Sequence, residues 1–368
     1  MTRHRNIHLL TPSLVPFDAI GNDVAQMRLA LMESGHTVRV FAEGIHPACA
    51  SIAEPIDQAP EKLWQSSEDI LIYHHSTGWP QGEEILFNTQ NRTVLRYHNI
   101  TPVRFFAPYS LPHTQAAEHG VASTKRVAKL PNMLILGDST YNCEDLIALG
   151  ADPQDCRVLA PLHLTEELGR EMFDYPTVAR YSGATVNILF VGGVKPNKGH
   201  ARAIRVFAEY QRHFNDKSRL IFAGGLDDRL DGYLNNLKTL ASQLGVVDHV
   251  IFTGSLTGSQ LKSLYVSADV FLCTSEHEGF CVPLVEAMYF RLPIVAWGVT
   301  AVAETMGACG FLEEDWNELV FASHIDTIVE DSQTAERLST LGRLRYQETF
   351  APKVLRQKLD EIIAEVTQ

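Results

Sequence analysis

Strand-like and helix-like runs alternate along this 368-residue chain in two separate series, and that doubled alternation restricts its fold more than any other feature. The first series has strand signals at Ile7–Leu10, Thr37–Phe41, Asp69–Tyr73, Thr93–Tyr97, Met133–Leu136 and Arg157–Ala160, with helices over Asp23–Glu33 and Tyr141–Leu149, the latter closed by Gly150. The rhythm lapses over residues 163–184, which carry Glu166-Glu167, Gly169, Pro176 and Gly183 and read as an inter-domain connection. It resumes with strands at Asn187–Val191, Arg219–Ala223, Val250–Thr253, Val270–Cys273 and Pro293–Ala296, and helical signals at Ala201–His213, Asp231–Leu244 and Leu261–Ser267. The expectation is an α/β protein of two domains, residues 1–168 and 185–350, with a closing helix in 351–368 that returns to the first domain. Each half buries a parallel sheet between helix layers, and a ligand belongs in the crevice outside the carboxyl ends of the strands.

The stretch from Ser275 to Met288 carries the clearest chemistry. It runs from the strand Val270–Cys273 through a loop into a helix that the sequence opens at Pro283, a residue pre-set for the first helical turn. Glu278 then lies in the loop and Glu286 one turn inside the helix. Gly279 allows close approach of a ligand, and the amides of Phe280, Cys281 and Val282 approach a helix N-terminus, which favours an anion. Glu286 suits a ribose diol and Glu278 the hydroxyls of a sugar. The competing reading of the two carboxylates is a pair of helix-dipole or capping groups.

Charge and cysteine usage narrow the partners. A net charge of −13 argues against nucleic acid, whose binding relies on clustered Lys and Arg. The cysteines at 49, 143, 156, 273, 281 and 309 show neither metal-ligand spacing nor a secreted disulfide pattern, and with no apolar run of membrane-spanning length the expectation is a cytoplasmic protein.

A second loop, Phe190-Val191-Gly192-Gly193-Val194-Lys195-Pro196-Asn197-Lys198-Gly199-His200, follows a strand and precedes a helix, so Lys198 and the backbone amides can face the same anion. It lacks the P-loop pattern of nucleoside triphosphatases. In order with Phe222-Ala223-Gly224-Gly225, Phe252-Thr253-Gly254-Ser255 and Ser275–Met288, this loop resembles the retaining glycosyltransferases of family 4 across residues 187–310. The resemblance implies the GT-B fold, two Rossmann-like domains facing a central cleft, and a nucleoside-diphosphate sugar as donor. It implies that Lys198 contacts the diphosphate, that Glu278 with the backbone of Gly279, Phe280, Cys281 and Val282 holds the sugar and phosphates, that Glu286 holds the ribose, and that Ser255-Leu256 flanks the base. It further places Gly21 and Asn22 near the donor phosphates and presents His98 to the donor sugar. The competing readings there are an N-capped turn and a histidine hydrogen-bonded at a strand end. Two positions depart from the family: Gly193 stands where arginine is usual, with Lys195 or Arg104 as substitutes, and Cys281 where glycine is common.

The same resemblance implies a front-side transfer with retention, in which the leaving phosphate takes the acceptor proton; His98, Lys198 and Glu278 are then the catalytic candidates. No metal or other cofactor is expected. The chain lacks an Asp-x-Asp pair, although Glu276-His277-Glu278 has a superficial look of ligation. An acceptor, a glycan or lipid-linked saccharide, is assigned to His75, Ser76, Trp79 and Arg104, against the alternative of a plain strand-to-helix loop. Arg92, Arg96, Arg104, Lys125, Arg126 and Lys129 enrich the first domain in cations and suggest peripheral contact with the inner face of a membrane; merely solvated charges are the alternative. A sugar-nucleotide epimerase of the same architecture and a non-catalytic nucleotide-sugar-binding protein are the other readings kept open.

Overall fold

The structure, a computed structural model, describes residues 4–16 and 18–367. One sheet contains β1 (Asn6–Leu14), β2 (Thr37–Ile45), β3 (Glu54–Pro55), β4 (Ile70–His75), β5 (Arg92–Tyr97), β6 (Met133–Gly137) and β7 (Cys156–Val158), in the order β3-β2-β1-β4-β5-β6-β7. The other contains β8 (Val186–Val191), β9 (Ser218–Ala223), β10 (Val250–Phe252), β11 (Val270–Cys273), β12 (Ile294–Trp297) and β13 (Gly310–Glu313), in the order β10-β9-β8-β11-β12-β13. Every pairing between these strands is parallel. Strand addition reverses beside the first strand of each sheet, between β1 and β4 and between β8 and β11. At such a reversal the connections leave toward opposite faces and open a crevice at the carboxyl ends of the strands.

Burial on both faces explains the near-continuous apolar runs. All residues of β4 and β11 are buried, so neither strand alternates apolar with polar residues as a one-sided strand would. The chain divides into two compact units, one of residues 4–103, 113–164 and 351–367, the other of residues 104–112 and 165–350. The expected boundaries shift in two places. Residues 165–184 are more than a connection: helices Thr165–Arg170 and Tyr175–Tyr181 lie there, the second capped by Asp174, whose carboxylate accepts from Thr177 N at 3.0 Å. Residues 104–112 are flanked by first-unit chain yet pack with the second unit, where Tyr109 meets the edge of Tyr233 at 5.1 Å.

The closing helix, Pro352–Val366, belongs to the first unit as the sequence suggests. Leu355, Leu359, Ile362 and Ile363 recur on one face and join the core formed by β1, β2 and helix Ala19–Glu33. Each such side chain contributes about 1.5–3 kcal/mol on burial. Polar contacts set its register: Ser34 Oγ donates to Asp360 at 2.6 Å, and Arg92 donates to the carbonyl of Val366 at 2.7 Å.

Candidate functional site

The two glycine-bearing loops of the second unit are laced together at the carboxyl ends of β8 and β11. Asn197 makes the joint: its carbonyl accepts from the amides of Glu276 and His277 at 2.8 and 3.2 Å, and its side-chain amide donates to the His277 carbonyl at 3.1 Å. Gly199 completes it. Its φ of 73° is left-handed, and a Cβ there would stand 1.9 Å from the Thr274 carbonyl oxygen, so only glycine permits this approach. Thr274 Oγ1 in turn donates to the Gly199 carbonyl at 2.9 Å.

This lacing brings together Lys198 and Glu278, which the sequence separates by eighty positions. Lys198 Nζ lies 2.7 and 2.8 Å from the two oxygens of Glu278, and Ser275 Oγ donates to the same carboxylate at 2.7 Å. The Glu278 amide donates to Thr300 Oγ1 at 3.1 Å, fixing the loop from its other side. Burial works against the Lys198 ammonium, but Glu278 outweighs it and holds its pKa above the ordinary lysine value. Lys198 therefore keeps its charge, and it is partly open to solvent at 23% while Glu278 is 8% exposed. Beside it, Arg202 lies over the rings of Trp297 and Trp316, at 4.4 and 4.6 Å, and reaches Glu276 at 3.3 Å.

The helix following this loop begins at Val282, one residue before the expected Pro283. Cys281 occupies its N-cap position with φ 81° and ψ 70°, a conformation that favours glycine. Its Sγ lies 3.9 Å from Sγ of Cys273, and none of the six cysteines is in a disulfide. Gly279 is half-buried, and the carbonyl of the buried Phe280 accepts from Thr305 Oγ1 at 2.6 Å. Glu286 is half-buried one turn into the helix, where Tyr265 donates its hydroxyl to Oε2 at 2.6 Å. Burial raises the Glu286 carboxyl above the usual range, with the tyrosine hydrogen bond opposing. Tyr265 fixes the orientation of this carboxylate, a feature that sequence reading missed because nothing local links positions 265 and 286.

At the end of β8, Gly192 N donates to Ala223 O and Val194 N to Gly225 O, tying this loop to the end of β9. Gly193 has room around it: a Cβ would meet its closest neighbour, the Gly225 carbonyl oxygen, at an ordinary 3.6 Å. The fold therefore does not impose glycine at the position where the resembled family carries arginine. Ser255 is exposed and Leu256 half-buried beside Gly254, which bridges to Gly224.

In the first unit, Gly21 and Asn22 lie within the first turn of helix Ala19–Glu33, not in a loop before it. The helix starts earlier than expected because Asp18 caps it, accepting from Ile20 N and Gly21 N. Gly21 is required by packing, since a Cβ would stand 2.4 Å from the Val15 carbonyl oxygen. His98 is found in a buried polar cluster. Its Nε2 lies 2.9 Å from His74 Nδ1 and its Nδ1 3.0 Å from Asp138 Oδ2, so both ring nitrogens are engaged. Arg96 spans two carboxylates, with Nε 3.0 Å from Asp23 Oδ2 and a terminal nitrogen 2.8 Å from Asp138 Oδ1. Burial tends to raise the Asp23 carboxyl, but Arg96, His98 and His74 bring it below the usual range. Among the described residues, Asp23, His74 and His98 form the carboxylate and imidazole group whose donor atoms converge enough to hold a metal; Glu278 is tied to Lys198 instead.

The expected acceptor platform is corrected by the structure. His75 is wholly buried, with Nε2 2.8 Å from Thr124 Oγ1, and burial drops its pKa to about 4. Trp79 is 3% exposed and stacks on Tyr73 with ring centroids 6.0 Å apart. Neither ring faces solvent, because both fill the space beside β4. Ser76 is half-buried, and Arg104 is exposed over the Phe105 ring in the second unit. Arg96 leaves the set of surface cations for the same reason of burial, and Arg92 is taken up by Val366. No helix among the described residues is long and apolar enough to cross a membrane.

Residues 183–345 match the family described as glycosyl transferases group 1, which includes both loops of the second unit. The D-inositol 3-phosphate glycosyltransferase of Acidothermus cellulolyticus is 27% identical over 274 residues, 71% of this chain and 60% of that protein. The GDP-mannose-dependent alpha-(1-6)-phosphatidylinositol monomannoside mannosyltransferase of Mycolicibacterium smegmatis is 28% identical over 157 residues, 40% of each chain. The chain thus spans less than two thirds of the length of these curated relatives. The crystal structure of HepE from Anabaena in complex with UDP-glucose superposes with a TM-score of 0.75, covering 98% of this chain and 99% of that one at 17% identity. At that identity the likeness shows the fold, that of GT-B glycosyltransferases.

Proposed function

We propose that this chain, whose residues 183–345 carry the group 1 glycosyl transferase module on a GT-B fold, is a retaining glycosyltransferase that uses a nucleoside-diphosphate sugar. The observation that carries the reading is the contact between Lys198 and Glu278, held by Ser275 and by the Asn197 lacing at the carboxyl ends of β8 and β11. Lys198 neutralises the departing diphosphate, together with the N-terminus of helix Val282–Tyr289. Glu278 accepts from hydroxyls of the transferred sugar and keeps Lys198 in place. Glu286, oriented by Tyr265, accepts from the ribose, since a carboxylate with one oxygen taken retains lone pairs for a diol. The leaving phosphate receives the acceptor proton, so no side chain serves as a covalent nucleophile and no metal takes part. Lys195 supplies the second phosphate contact in place of the arginine absent at Gly193.

The sugar is a hexose, as the GDP-mannose and UDP-glucose of similar proteins suggest, and the acceptor is a glycan or lipid-linked saccharide met in the cytoplasm at the inner face of a membrane. Incubation with uridine, guanosine and adenosine diphosphate hexoses, a lipid-saccharide extract and EDTA tests this. The expected outcome is release of nucleoside diphosphate with a product that keeps the donor's anomeric configuration. An epimerised sugar, an inverted product or an absolute need for added metal contradicts the reading.

A further inference from the structure

We propose that Thr300 is a positioning residue for Glu278, held in a strained backbone conformation so that its hydroxyl fixes that residue during sugar transfer. This rests on the proposed role of Glu278 toward the transferred sugar. Residues 299–302 form a tight turn between β12 and helix Val302–Met306, closed by Val302 N, which donates to the Val299 carbonyl at 3.1 Å. Thr300 takes the second position of the turn with φ 52°, and Ala301 the third with φ −78° and ψ −6°. A positive φ followed by such angles belongs to the type II′ turn, where glycine is the rule at the second position. Among the described residues, Thr300 is the one β-branched residue with a left-handed φ; the other non-glycine cases are Asn99, Asn132, Cys281 and Arg291. A branched Cβ makes this φ an outlier, and such outliers collect at sites where the surrounding structure over-determines the backbone.

What the strain supports is visible around Glu278. Thr300 Oγ1 accepts from the Glu278 amide at 3.1 Å, and Ala301 N donates to the Glu278 carbonyl at 3.4 Å, so one dipeptide holds both backbone polar groups of that residue. The turn is itself fastened on each side. Gly298 N donates to the Glu313 carbonyl at 2.8 Å just before it, Ala301 and Val302 are wholly buried, and Thr305 Oγ1 donates to the Phe280 carbonyl at 2.6 Å just after it. Glycine at position 300 would relieve the strain and leave the amide of the buried Glu278 without its acceptor. The Glu278 carboxylate rests on Lys198 and Ser275. Once a donor diphosphate shares the Lys198 charge, the carboxylate is held by Ser275 and by the backbone that Thr300 fixes. Misplacement of a reacting group by an ångström costs about 10²-fold in rate, so loss of this anchor acts on turnover. Donor affinity lies with Lys198 and Glu286 and changes little.

Full-length Thr300→Ser, Thr300→Val, Thr300→Gly and Glu278→Gln are compared with wild type, using uridine and guanosine diphosphate hexoses with the lipid-saccharide extract. Thr300→Val, which keeps the shape without the hydroxyl, and Thr300→Gly are expected to lower kcat by about tenfold or more with donor KM within about threefold of wild type. Thr300→Ser restores the acceptor and with it kcat. Deuterium exchange of the Glu278 amide, read without any turnover, is faster in the valine and glycine variants and unchanged in the serine variant. The strain shows in Tm: Thr300→Gly melts above Thr300→Val although both lack the hydroxyl, because glycine alone relieves the turn. A purely structural role predicts instead a glycine variant as active as wild type. Wild-type kcat in folded Thr300→Val and Thr300→Gly while Glu278→Gln is slowed, or an unchanged exchange rate of the Glu278 amide, overturns the inference and leaves the proposed function standing. An unslowed Glu278→Gln contradicts the proposed role of Glu278 and the inference with it.

Discussion

Lys198 Nζ stands 2.7 Å from one oxygen of Glu278 and 2.8 Å from the other, so a single ammonium bridges the carboxylate of a residue eighty positions away. In the absence of a donor the two charges satisfy each other. On the proposed function, a diphosphate brought beside Lys198 would share that charge and free Glu278 for sugar hydroxyls.

Lys198→Ala is accordingly expected to lower kcat/KM by about 10²-fold or more, and Glu278→Gln to act mainly on kcat, because Lys198 meets the negative charge that develops on the leaving diphosphate and Glu278 the positive charge that develops on the sugar. Steady-state kinetics with a single donor separates the two. Equal, wild-type-like constants in both variants would be incompatible with their roles.

The glycine at 199 is a matter of stability before catalysis. Gly199→Ala imposes a side chain on a φ of 73° and drives its Cβ into the Thr274 carbonyl. A loss above about 3 kcal/mol follows, from strain plus overlap. Gly183→Ala, with φ 107° and nothing within 4 Å, pays only the conformational part, about 1–2 kcal/mol. Urea unfolding of the two variants checks the difference.

Acidification should weaken donor binding earlier than an ordinary glutamate would allow. Burial raises the Glu286 carboxyl, and the ionised form is the acceptor for ribose, so affinity falls as the pH drops through that raised pKa. Tyr265→Phe removes the opposing hydrogen bond and shifts the fall to higher pH. Titrations of donor Kd against pH in both proteins read this directly; a flat profile in each contradicts it.

Gly193→Arg offers a gain. The position has space for a side chain and no left-handed φ, and an added guanidinium beside Lys195 would meet the donor diphosphate bidentately. Donor Kd is expected to fall by about tenfold or more, since each charge-assisted hydrogen bond of the pair is worth about 1.5–3 kcal/mol. Unchanged affinity in a folded variant would place the diphosphate elsewhere.

The parts of the molecule readable in the sequence are those where one local rule decides. β4 and β11 are buried on both faces and so appear as apolar runs, and helix Pro352–Val366 shows its core face at helical spacing. Glu278, Lys198 and Gly199 were legible because loop, glycine and helix start lie together in the chain. Helices Leu111–Val127 and Ser332–Arg345 lack a strong apolar stripe and escaped notice. The partners of His98 were invisible because Asp23, His74 and Asp138 reach it only through sheet order. His75 and Trp79 misled for a related reason: a polar, aromatic loop signature does not say which way its side chains turn, and packing against Tyr73 and Tyr97 turned these inward.

Isothermal titration of the intact protein with uridine and guanosine diphosphate sugars, alongside Glu286→Ala, tests the central claim most directly. The account predicts one donor bound per chain for at least one of these sugars, with affinity lowered by about 10²-fold in the variant. Absence of binding by every donor, or the same Kd in wild type and variant, would contradict it.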